Sequence, residues 1–347
     1  MTMNLKQLSE SLGLSPTTVS RALNGYPEVS EQTRLRVMRA ARDADYRPDP
    51  RAKGLATGRA LAIGHVLPTS VRTEIVNPVF ADFLSGAGDV YASAGYDMIL
   101  RMVANTEEEA TYDALAKRRA VDGVIVHAPR VDEPRIDQLL RLGLPFVVHG
   151  QCQRAQEDYP WVDTNNRRAF EAATERLIAL GHHRIALLNG DERMDFARRR
   201  RAGHLDALSA AGLTQDDSLL FNAEMTEAYG YETARSLLES AAPPTAFLTS
   251  ALTTAFGVRR AADELGLRLG EHIALITHDD DLSYLSNGRP GAPVFAATRS
   301  SVRAAGRLAA ELLMDIIAHP GSAPRTHMLE AEQLDGPSLC PGPHHAP

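Results

Sequence analysis

Residues 15–25 read SPTTVSRALNG, and this stretch decides how the sequence is interpreted. Ser15 is a typical helix N-cap and Pro16 suits the first helical position, so a helix is predicted to begin here. An earlier segment, residues 4–12, has leucines spaced along one helical face. Gly13 separates the two segments. Two short helices joined by a tight turn that contains glycine have the layout of a helix-turn-helix.

In a helix-turn-helix, the start of the second helix enters the major groove of DNA. Val19 and Leu23 lie one turn apart on the inward face of this helix. The residues predicted to face outward and to contact bases are Pro16, Thr17, Ser20 and Arg21. The pattern therefore predicts a DNA-binding regulator, in which the rest of the chain controls the head.

A third helix is predicted from its cap, Ser30, to about Ala44. It would complete a small three-helix domain over Leu8 and Val19. The residues expected to form its inner face are Leu35, Val37, Met38 and Ala41.

Residues 47–59 contain two prolines, a short alanine and leucine segment and two glycines. This composition predicts a linker with one or two marginal helical turns, because so short a helix is not stable by itself.

Composition and charge narrow the class of protein. Residues 1–59 carry ten lysines and arginines against six acidic residues, a balance of +4, whereas the remainder has 27 against 38, a balance of −11. A basic head on an acidic body fits a head that meets phosphates.

Residues 1–4 lack a basic or apolar signal region, and no apolar run is long enough to span a membrane. We therefore expect a cytoplasmic protein in which Cys152 and Cys340 are free thiols.

From Ala60 onward, short apolar runs alternate with amphipathic segments. Repeated βα units of this kind predict parallel sheets covered on both faces, and two sets of similar size predict two Rossmann-like lobes with a cleft between them. The fold class expected is α/β: an all-α helix-turn-helix head plus two lobes of the periplasmic-binding-protein type.

The predicted domains are a head at 1–46, a hinge at 47–59, a two-lobed body at 60–335 and a frayed tail at 336–347. Lobe one is expected to comprise about 60–161 with 292–320, and lobe two about 162–291 with 321–335.

This order of head, hinge and two-lobed body resembles the lactose-repressor/galactose-repressor family of bacterial transcription regulators over nearly the whole chain. The most specific match is residues 17–24, TTVSRALN. Further matches are Val29-Ser30, Thr33-Arg34, Tyr46-Arg47-Pro48, Leu55, Gly181-His182, Arg200 with Gly203, and His278-Asp279-Asp280.

The resemblance implies a homodimer on double-stranded operator DNA, each head reading one half of a pseudo-palindrome. It implies operator choice by Pro16 and Thr17, a base contact by Arg21, and phosphate or base-edge contacts by Thr18, Ser20 and Asn24. Because proline has no side-chain donor, Thr17 and Arg21 are expected to carry more of the readout. Helix packing and C-capping are the alternative roles of Thr18 and Asn24.

In the hinge, Leu55 matches the residue that paired family hinge helices insert between base pairs in the minor groove. Such an apolar wedge kinks the duplex. Ala52 would let the two helices approach closely, while Arg51, Lys53 and Arg59 would lie near phosphates. A flexible linker with incidental positive charge is the alternative.

The resemblance also implies a small effector, usually a sugar or a purine, bound between the lobes. Arg200 matches a ligand-gripping arginine and Asp279 a ligand-binding carboxylate, a pair that suits vicinal hydroxyls. Asn165 matches a cleft asparagine. Phe80 and Trp161 would supply apolar faces against a sugar ring, with a place in the core as the alternative for Trp161. The run of four arginines around Arg200 also fits a solvated surface.

Residues 251–257, ALTTAFG, depart from the family pattern, which has an Asn-Asp pair before a Met-Ala-x-Gly turn. This change removes a polar cleft contact. The other pocket residues, with Tyr229-Gly230 and His278-Asp279-Asp280, are similar to those of α-glucoside operon repressors. An inducing sugar is therefore favoured, with a phosphorylated sugar or a purine, as effector or corepressor, as the alternative.

Other functional classes fit the sequence less well. A periplasmic sugar-binding protein would need a secretory signal and would have no DNA-binding head. The sequence has no phosphate-binding glycine motif, nucleophile elbow or metal-ligand constellation, so we expect no enzyme, cofactor or metal.

Overall fold

The computed structural model describes residues 3–23, 25–46, 58–68, 78–152 and 159–344. The chain divides between Leu61 and Ala62 into two compact units, and each is described by itself.

The described part of the first unit contains three helices: α1 (Leu5–Leu12), α2 (Pro16–Leu23) and α3 (Glu31–Asp43). Asn4 and Gln7 cap α1 reciprocally, and Gly13 ends the helix in the left-handed conformation, at φ 64°. Ser15 caps α2, because its Oγ accepts a hydrogen bond from the Thr18 amide at 3.0 Å. The predicted helix-turn-helix is thus built by the caps that the sequence displays.

The core of this unit differs from the prediction on α3. Val37 and Ala41 are buried with Leu8 and Val19, whereas Leu35 and Met38 are 55% and 42% exposed. The turn of an α-helix places Leu35 about 200° around the axis from Val37, and therefore on the opposite face. The prediction that Leu35 and Met38 belong to the inner face was wrong.

The described residues of the second unit form two six-stranded sheets, and each of these sheets defines a lobe. The sheet of lobe one has the order β13-β5-β4-β3-β1-β2 and its paired strands are parallel. Its strands are β1 (Ala62–Pro68), β2 (Asp97–Val103), β3 (Gly123–His127), β4 (Phe146–His149), β5 (Trp161–Thr164) and β13 (Thr326–Leu329).

The sheet of lobe two has the order β14-β12-β9-β8-β6-β7, with only the β12–β14 pair antiparallel among its described strands. Its strands are β6 (Ile185–Asn189), β7 (Leu220–Asn222), β8 (Ala246–Thr249), β9 (Ala274–Asp279), β12 (Ala296–Arg299) and β14 (Glu332–Leu334). A small hairpin, β10 (Gly288–Arg289) and β11 (Ala292–Pro293), precedes β12.

Helices flank both sheets, as expected for buried parallel strands. They are α4 (Pro78–Ala94), α5 (Glu108–Lys117), α6 (Pro134–Leu142), α7 (Asn166–Ala179), α8 (Asp195–Ala210), α9 (Glu227–Leu238), α10 (Leu252–Glu264) and α11 (Val302–Ala318), with short 3₁₀ turns at Asn105–Glu107 and Asp217–Leu219. The predicted fold class, a helical head with two α/β lobes, is confirmed.

The C-terminal part of the body crosses between the lobes more often than predicted. Strand β12 joins the sheet of lobe two, α11 packs in the core of lobe one, β13 joins the sheet of lobe one and β14 returns to lobe two. The predicted blocks, 292–320 in lobe one and 321–335 in lobe two, therefore divide the chain differently from the sheets. Strands of three or four residues carry too little periodicity to reveal their partners.

The segment after residue 335 also differs from the prediction of a frayed tail. Ser338 is buried, and its Oγ donates to Leu275 O at 2.7 Å and accepts from Ala296 N at 2.8 Å. His182 Nε2 donates to Cys340 O at 2.9 Å. Residues 336–344 thus pack on lobe two through hydrogen bonds that a proline- and glycine-rich sequence does not reveal.

Glycines set the distance between α4 and α11. A Cβ at Gly86 would lie 2.1 Å from the Arg303 carbonyl oxygen, and one at Gly306 would lie 2.2 Å from that of Phe83. Because these atoms belong to the backbone, the two helices could accept a methyl group only by moving apart.

We expect Gly86→Ala to lower the free energy of unfolding by about 1–3 kcal/mol through overpacking. Gly88→Ala, on the same helix, is the matched control. The nearest atom to a Cβ at Gly88 is the Met98 methyl carbon at 3.6 Å, and alanine raises helix propensity by up to about 1 kcal/mol. Urea unfolding of both variants checks this, and equal stability of the two would contradict the account of the helix contact.

Candidate functional sites: the recognition helix and the inter-lobe cavity

The recognition helix α2 presents part of the predicted DNA-binding set to solvent. Pro16, Thr17 and Arg21 are exposed, whereas Thr18 and Ser20 are half-buried. The Thr18 hydroxyl lies 2.8 Å from Ser15 Oγ, so it takes part in the N-cap. The predicted residues Asn24, Arg51, Ala52, Lys53 and Leu55 lie outside the described residues.

In the second unit, a cavity of about 200 Å³ lies between the lobes. This volume is more than tenfold the roughly 10–15 Å³ that one water molecule requires, so a small organic molecule can occupy it. Its walls include residues at the carboxyl ends of β3, β4, β5, β9 and β12, where ligands of open α/β sheets bind.

Arg200, on α8, supplies the charged group of the lobe-two wall. Its side chain is buried, and it donates from Nε to Asn166 Oδ1 and from Nη1 to Ser250 O, both at 2.7 Å. The guanidinium carbon lies 5.0 Å from the ring centroids of both Phe170 and Phe196. Burial lowers the pKa of Arg200 to about 10, so the group stays cationic at neutral pH.

His278 and Asp280 lie together in the cavity wall at the end of β9. Burial, assisted by Arg200, lowers the pKa of His278, which leaves the imidazole neutral near pH 7. Burial opposes ionisation of Asp280, but the interaction with His278 and the charge of Arg200 outweigh it and hold the pKa of Asp280 below its ordinary value. His278 Nε2 lies 3.4 Å from Asp280 Oδ1 and 3.3 Å from Ser300 Oγ, while Nδ1 lies 2.9 Å from Thr298 Oγ1.

Asp163, on β5, is a second carboxyl group in the wall. Its Oδ1 accepts from the Thr164 amide at 2.8 Å and from Asn166 Nδ2 at 3.3 Å. Burial raises the pKa of Asp163 to about 7, against the opposing charge of Arg199. The cavity therefore contains one carboxyl group that titrates near neutral pH.

The lobe-one wall consists mainly of rings. His127 packs edge-on against Phe80 and Phe83, with ring centroids 4.7 and 4.8 Å away, and His149 lies 4.3 Å from Phe83. Burial lowers the pKa of His149 to about 4 and that of His127 well below its ordinary value. These imidazoles are neutral, so the rings of this wall carry no charge, and Asp163 on β5 is the carboxyl group that lobe one contributes.

The structure brings two of the five predicted effector residues, Phe80 and Arg200, into the cavity wall. The other three do not line it. Asp279 turns away and accepts from the Asp281 amide at 2.9 Å, Asn165 caps α7, and Trp161 is buried in β5.

Strand geometry explains why His278 and Asp280, rather than the predicted Asp279, line the cavity. Successive side chains of a strand point to opposite faces, so His278 and Asp280 share the cavity side and Asp279 takes the other. The wall also contains Asp163, Asn166, His127 and His149, which sequence reasoning missed. All four lie within two residues of the end of a strand, and this position was the signal that could have found them.

Among the described residues, no group of three or more His, Cys, Asp or Glu side chains could hold a metal ion. Within the same residues, no helix has the length and apolarity needed to cross a membrane.

Comparison with known families decides the relationship. The sequence-family model described as "Bacterial regulatory proteins, lacI family" matches residues 5–49. A second family model, described as "Periplasmic binding proteins and sugar binding domain of LacI family", matches residues 60–333. The chain belongs to the LacI family. The resemblance inferred from residues 17–24 and the body is thereby confirmed.

Individual LacI-family proteins are similar over nearly the full length. The HTH-type transcriptional regulator AglR of Rhizobium meliloti is 43% identical over 100% of this chain and 97% of its own length. The HTH-type transcriptional regulator RafR of Escherichia coli is 35% identical over 91% of this chain and 92% of its own. A solved complex of the transcriptional regulator CelR with cellobiose is 27% identical, with a TM-score of 0.71 over 97% of this chain and 100% of its own. The prediction of a transcriptional regulator rather than an enzyme is confirmed by these relatives.

Asp163 gives the unfolding free energy a specific pH dependence. Its pKa is about 7 in the folded protein and 3.8 ordinarily, so the folded state holds the proton more tightly and loses stability as the pH rises from about 4 to 7. At 1.36 kcal/mol per pKa unit, the loss is of the order of 4 kcal/mol. The variant Asp163→Asn has no ionisable group at this position, so its free energy of unfolding does not contain this loss.

We therefore expect the stability of the wild type relative to Asp163→Asn to fall between pH 4 and pH 7, measured by urea unfolding of both proteins at each pH. Subtracting the two curves cancels the titration of the buried histidines. A difference that stays constant with pH would show that Asp163 ionises normally in the folded protein.

Proposed function

We propose that this chain is a repressor of a sugar-utilisation operon, and that a neutral sugar bound in the inter-lobe cavity releases it from its operator. The observation that carries this proposal is the chemistry of the two walls. One wall presents the Arg200 guanidinium and the Asp280 carboxylate, and the other presents Phe80 and Phe83. A sugar has hydroxyl groups for the first wall and an apolar ring face for the second.

The charge of the cavity disfavours the alternative of a phosphorylated effector. Arg200 is the only cationic side chain among the described wall residues, and two of its donors are already bound to Asn166 and Ser250. Asp280 is ionised, and Asp163 is partly ionised near pH 7. A phosphate group would meet more negative than positive charge, whereas a neutral sugar would not.

One relative supports a sugar, because CelR is a transcriptional regulator solved with the disaccharide cellobiose. Among sugars we favour an α-glucoside, because the sequence at His278-Asp279-Asp280 resembles that of α-glucoside operon repressors. Within the proposed site, Arg200 and Phe80 keep their predicted effector roles. His278 and Asp280 take the place proposed for Asp279, while Asn165 and Trp161 act by positioning α7 and β5.

On DNA, we propose that Thr17 and Arg21 contact bases beside Pro16. Thr18, Ser20 and Asn24 would contact phosphates or base edges. In the hinge, Leu55 would be the residue that inserts between base pairs, with Arg51, Ala52 and Lys53 beside it. A homodimer on a pseudo-palindrome would place two such heads. Exposed Leu100 and Met102 on edge strand β2 fit a surface that a second copy covers. The protein would act in the cytoplasm, where its operator is.

Sugar binding would release DNA only if the sugar has different affinities for two arrangements of the lobes. We propose that the arrangement favoured by the sugar separates the two hinges of the dimer, so that the hinge helices no longer form. The sugar is then an inducer.

We expect Arg200→Lys to weaken sugar binding at least tenfold, because lysine cannot donate to Asn166 and Ser250 in the guanidinium geometry. Arg198→Ala, in the same arginine run but exposed, is the matched control and should bind as the wild type does. Isothermal titration with trehalose, maltose, sucrose and glucose 6-phosphate measures this. Binding of glucose 6-phosphate alone, or full sugar affinity in Arg200→Lys, would contradict the proposal.

We expect Arg21→Ala to lower the affinity for operator about 10- to 100-fold, because an arginine contact to a guanine edge is worth about 1–3 kcal/mol. The exposed Arg39→Ala on α3 should bind within a few-fold of the wild type. Fluorescence anisotropy on a duplex selected from random sequences measures both. An equal loss in the two variants would mean that Arg21 contributes charge and no base readout.

A further inference from the structure

Two loops, one from each lobe, join beside the inter-lobe cavity through their backbones. Val131 N donates to Arg193 O at 3.2 Å, and Asp195 N donates to Pro129 O at 3.1 Å. Arg130 and Met194 thereby form an isolated antiparallel bridge. We call residues 129–131 together with residues 193–195 the clasp.

The clasp is continuous with both walls of the cavity. Pro129, which accepts one of its hydrogen bonds, lines the cavity from lobe one. Phe196, the residue after the second donor, lines it from lobe two. Separation of the lobes along this edge must break both clasp hydrogen bonds.

Four charged residues anchor the lobe-one half of the clasp. Arg135 Nε donates to Glu133 Oε1 at 2.6 Å, and Arg135 Nη1 donates to Glu108 Oε1 at 3.1 Å. Arg130 Nη2 reaches Glu108 Oε2 at 3.2 Å. We call Glu108, Arg130, Glu133 and Arg135 the ion network.

The ion network also forms hydrogen bonds with backbone atoms of residues 127–130. Glu133 Oε2 accepts from the Arg130 amide at 2.9 Å, and Arg135 Nη2 donates to the His127 carbonyl at 3.1 Å. His127 lies in the cavity wall and Arg130 lies in the clasp. The network therefore fixes the stretch of chain that joins the wall to the clasp.

Stability alone does not account for this arrangement. The side chains of Glu108, Glu133 and Arg135 are at most 5% exposed. Buried ion pairs of this kind are commonly no more stabilising than apolar residues of equal volume. What the network supplies is a defined position for one loop.

We propose that Glu108, Glu133 and Arg135 are positioning residues, which hold residues 129–131 where they close the clasp and thereby set how long a ligand stays in the cavity. None of the three lines the cavity. The ligand part of this inference rests on the proposed function, whereas the positioning of the clasp does not.

The first test needs no ligand. Hydrogen–deuterium exchange of the full-length protein is measured over 128–133 and 191–197, where the Val131 and Asp195 amides report the clasp. Glu108→Gln should raise exchange there at least tenfold while leaving strands β1 and β3 as in the wild type. Glu109→Gln, the next residue on the same helix and exposed, is the matched control and should change nothing.

The result that overturns the proposal is wild-type exchange at the clasp in Glu108→Gln, or a uniform rise over the whole of lobe one, which marks a purely structural role. If Glu108→Gln does not fold, Arg130→Met replaces it, because the Arg130 side chain is 39% exposed and joins the network only through Glu108.

The second test uses trehalose, maltose and sucrose as probes. For each sugar that binds the wild type, Glu108→Gln should raise the dissociation rate at least tenfold, and Glu109→Gln should not. Unchanged dissociation from a loosened clasp would overturn the role in ligand residence. If none of the three sugars binds, the α-glucoside proposal fails, and the exchange measurement still decides whether the network positions the clasp.

Discussion

The cavity between the lobes depends on the burial of the Arg200 guanidinium. A buried guanidinium is stable only where its donors are bound and its charge is balanced. Asn166 on α7 and the Ser250 carbonyl after β8 accept its hydrogen bonds, two phenyl rings face it, and Asp280 lies in the same wall. Arg200 thus ties two helices and two strand ends of lobe two around one point, and it leaves that point as a wall of the cavity.

Lobe one meets this charged wall with uncharged rings, and polar contacts hold the two lobes together around it. Asp82 on α4 accepts from the Ser283 amide at 2.9 Å and from the Ser283 hydroxyl at 2.8 Å, and Leu282 enters the core of lobe one. The segment that carries Asp280 is therefore anchored in the opposite lobe. With the clasp on another edge, the cavity is bounded by contacts that a change in lobe arrangement must break or form. This is how a ligand could bias the arrangement of the lobes.

Local signals in the sequence predicted the helices well, because each has a physical cause that acts over a few residues. Asn4, Ser15 and Ser30 cap the three described helices of the head, and Gly13 ends the first of them. The alternation of βα units predicted two lobes for the same reason. Contacts between distant parts of the chain were harder to predict. The sheet that each of β12, β13 and β14 joins depends on partner strands far away in the sequence. Ser338 likewise meets its hydrogen-bond partners only in the folded lobe.

Within the site, the sequence predicted Arg200 and Phe80 but chose Asp279 where the cavity holds Asp280. The two aspartates are equivalent as chemistry, and only the position at which β9 ends decides which of them faces the ligand. The neutral histidines of lobe one could not be predicted either, because their burial, which lowers their pKa values, exists only in the assembled lobe.

The central claim is that the cavity and the operator site compete through the arrangement of the lobes. Linkage requires such coupling to be reciprocal: a sugar that weakens operator binding by some factor must itself bind the operator complex more weakly by the same factor. The most direct measurement is a pair of titrations of the full-length protein, operator affinity with and without saturating sugar, and sugar affinity with and without saturating operator. The account predicts two equal factors, each above about fivefold. A sugar that binds in the cavity and leaves operator affinity unchanged, or raises it, would contradict the account.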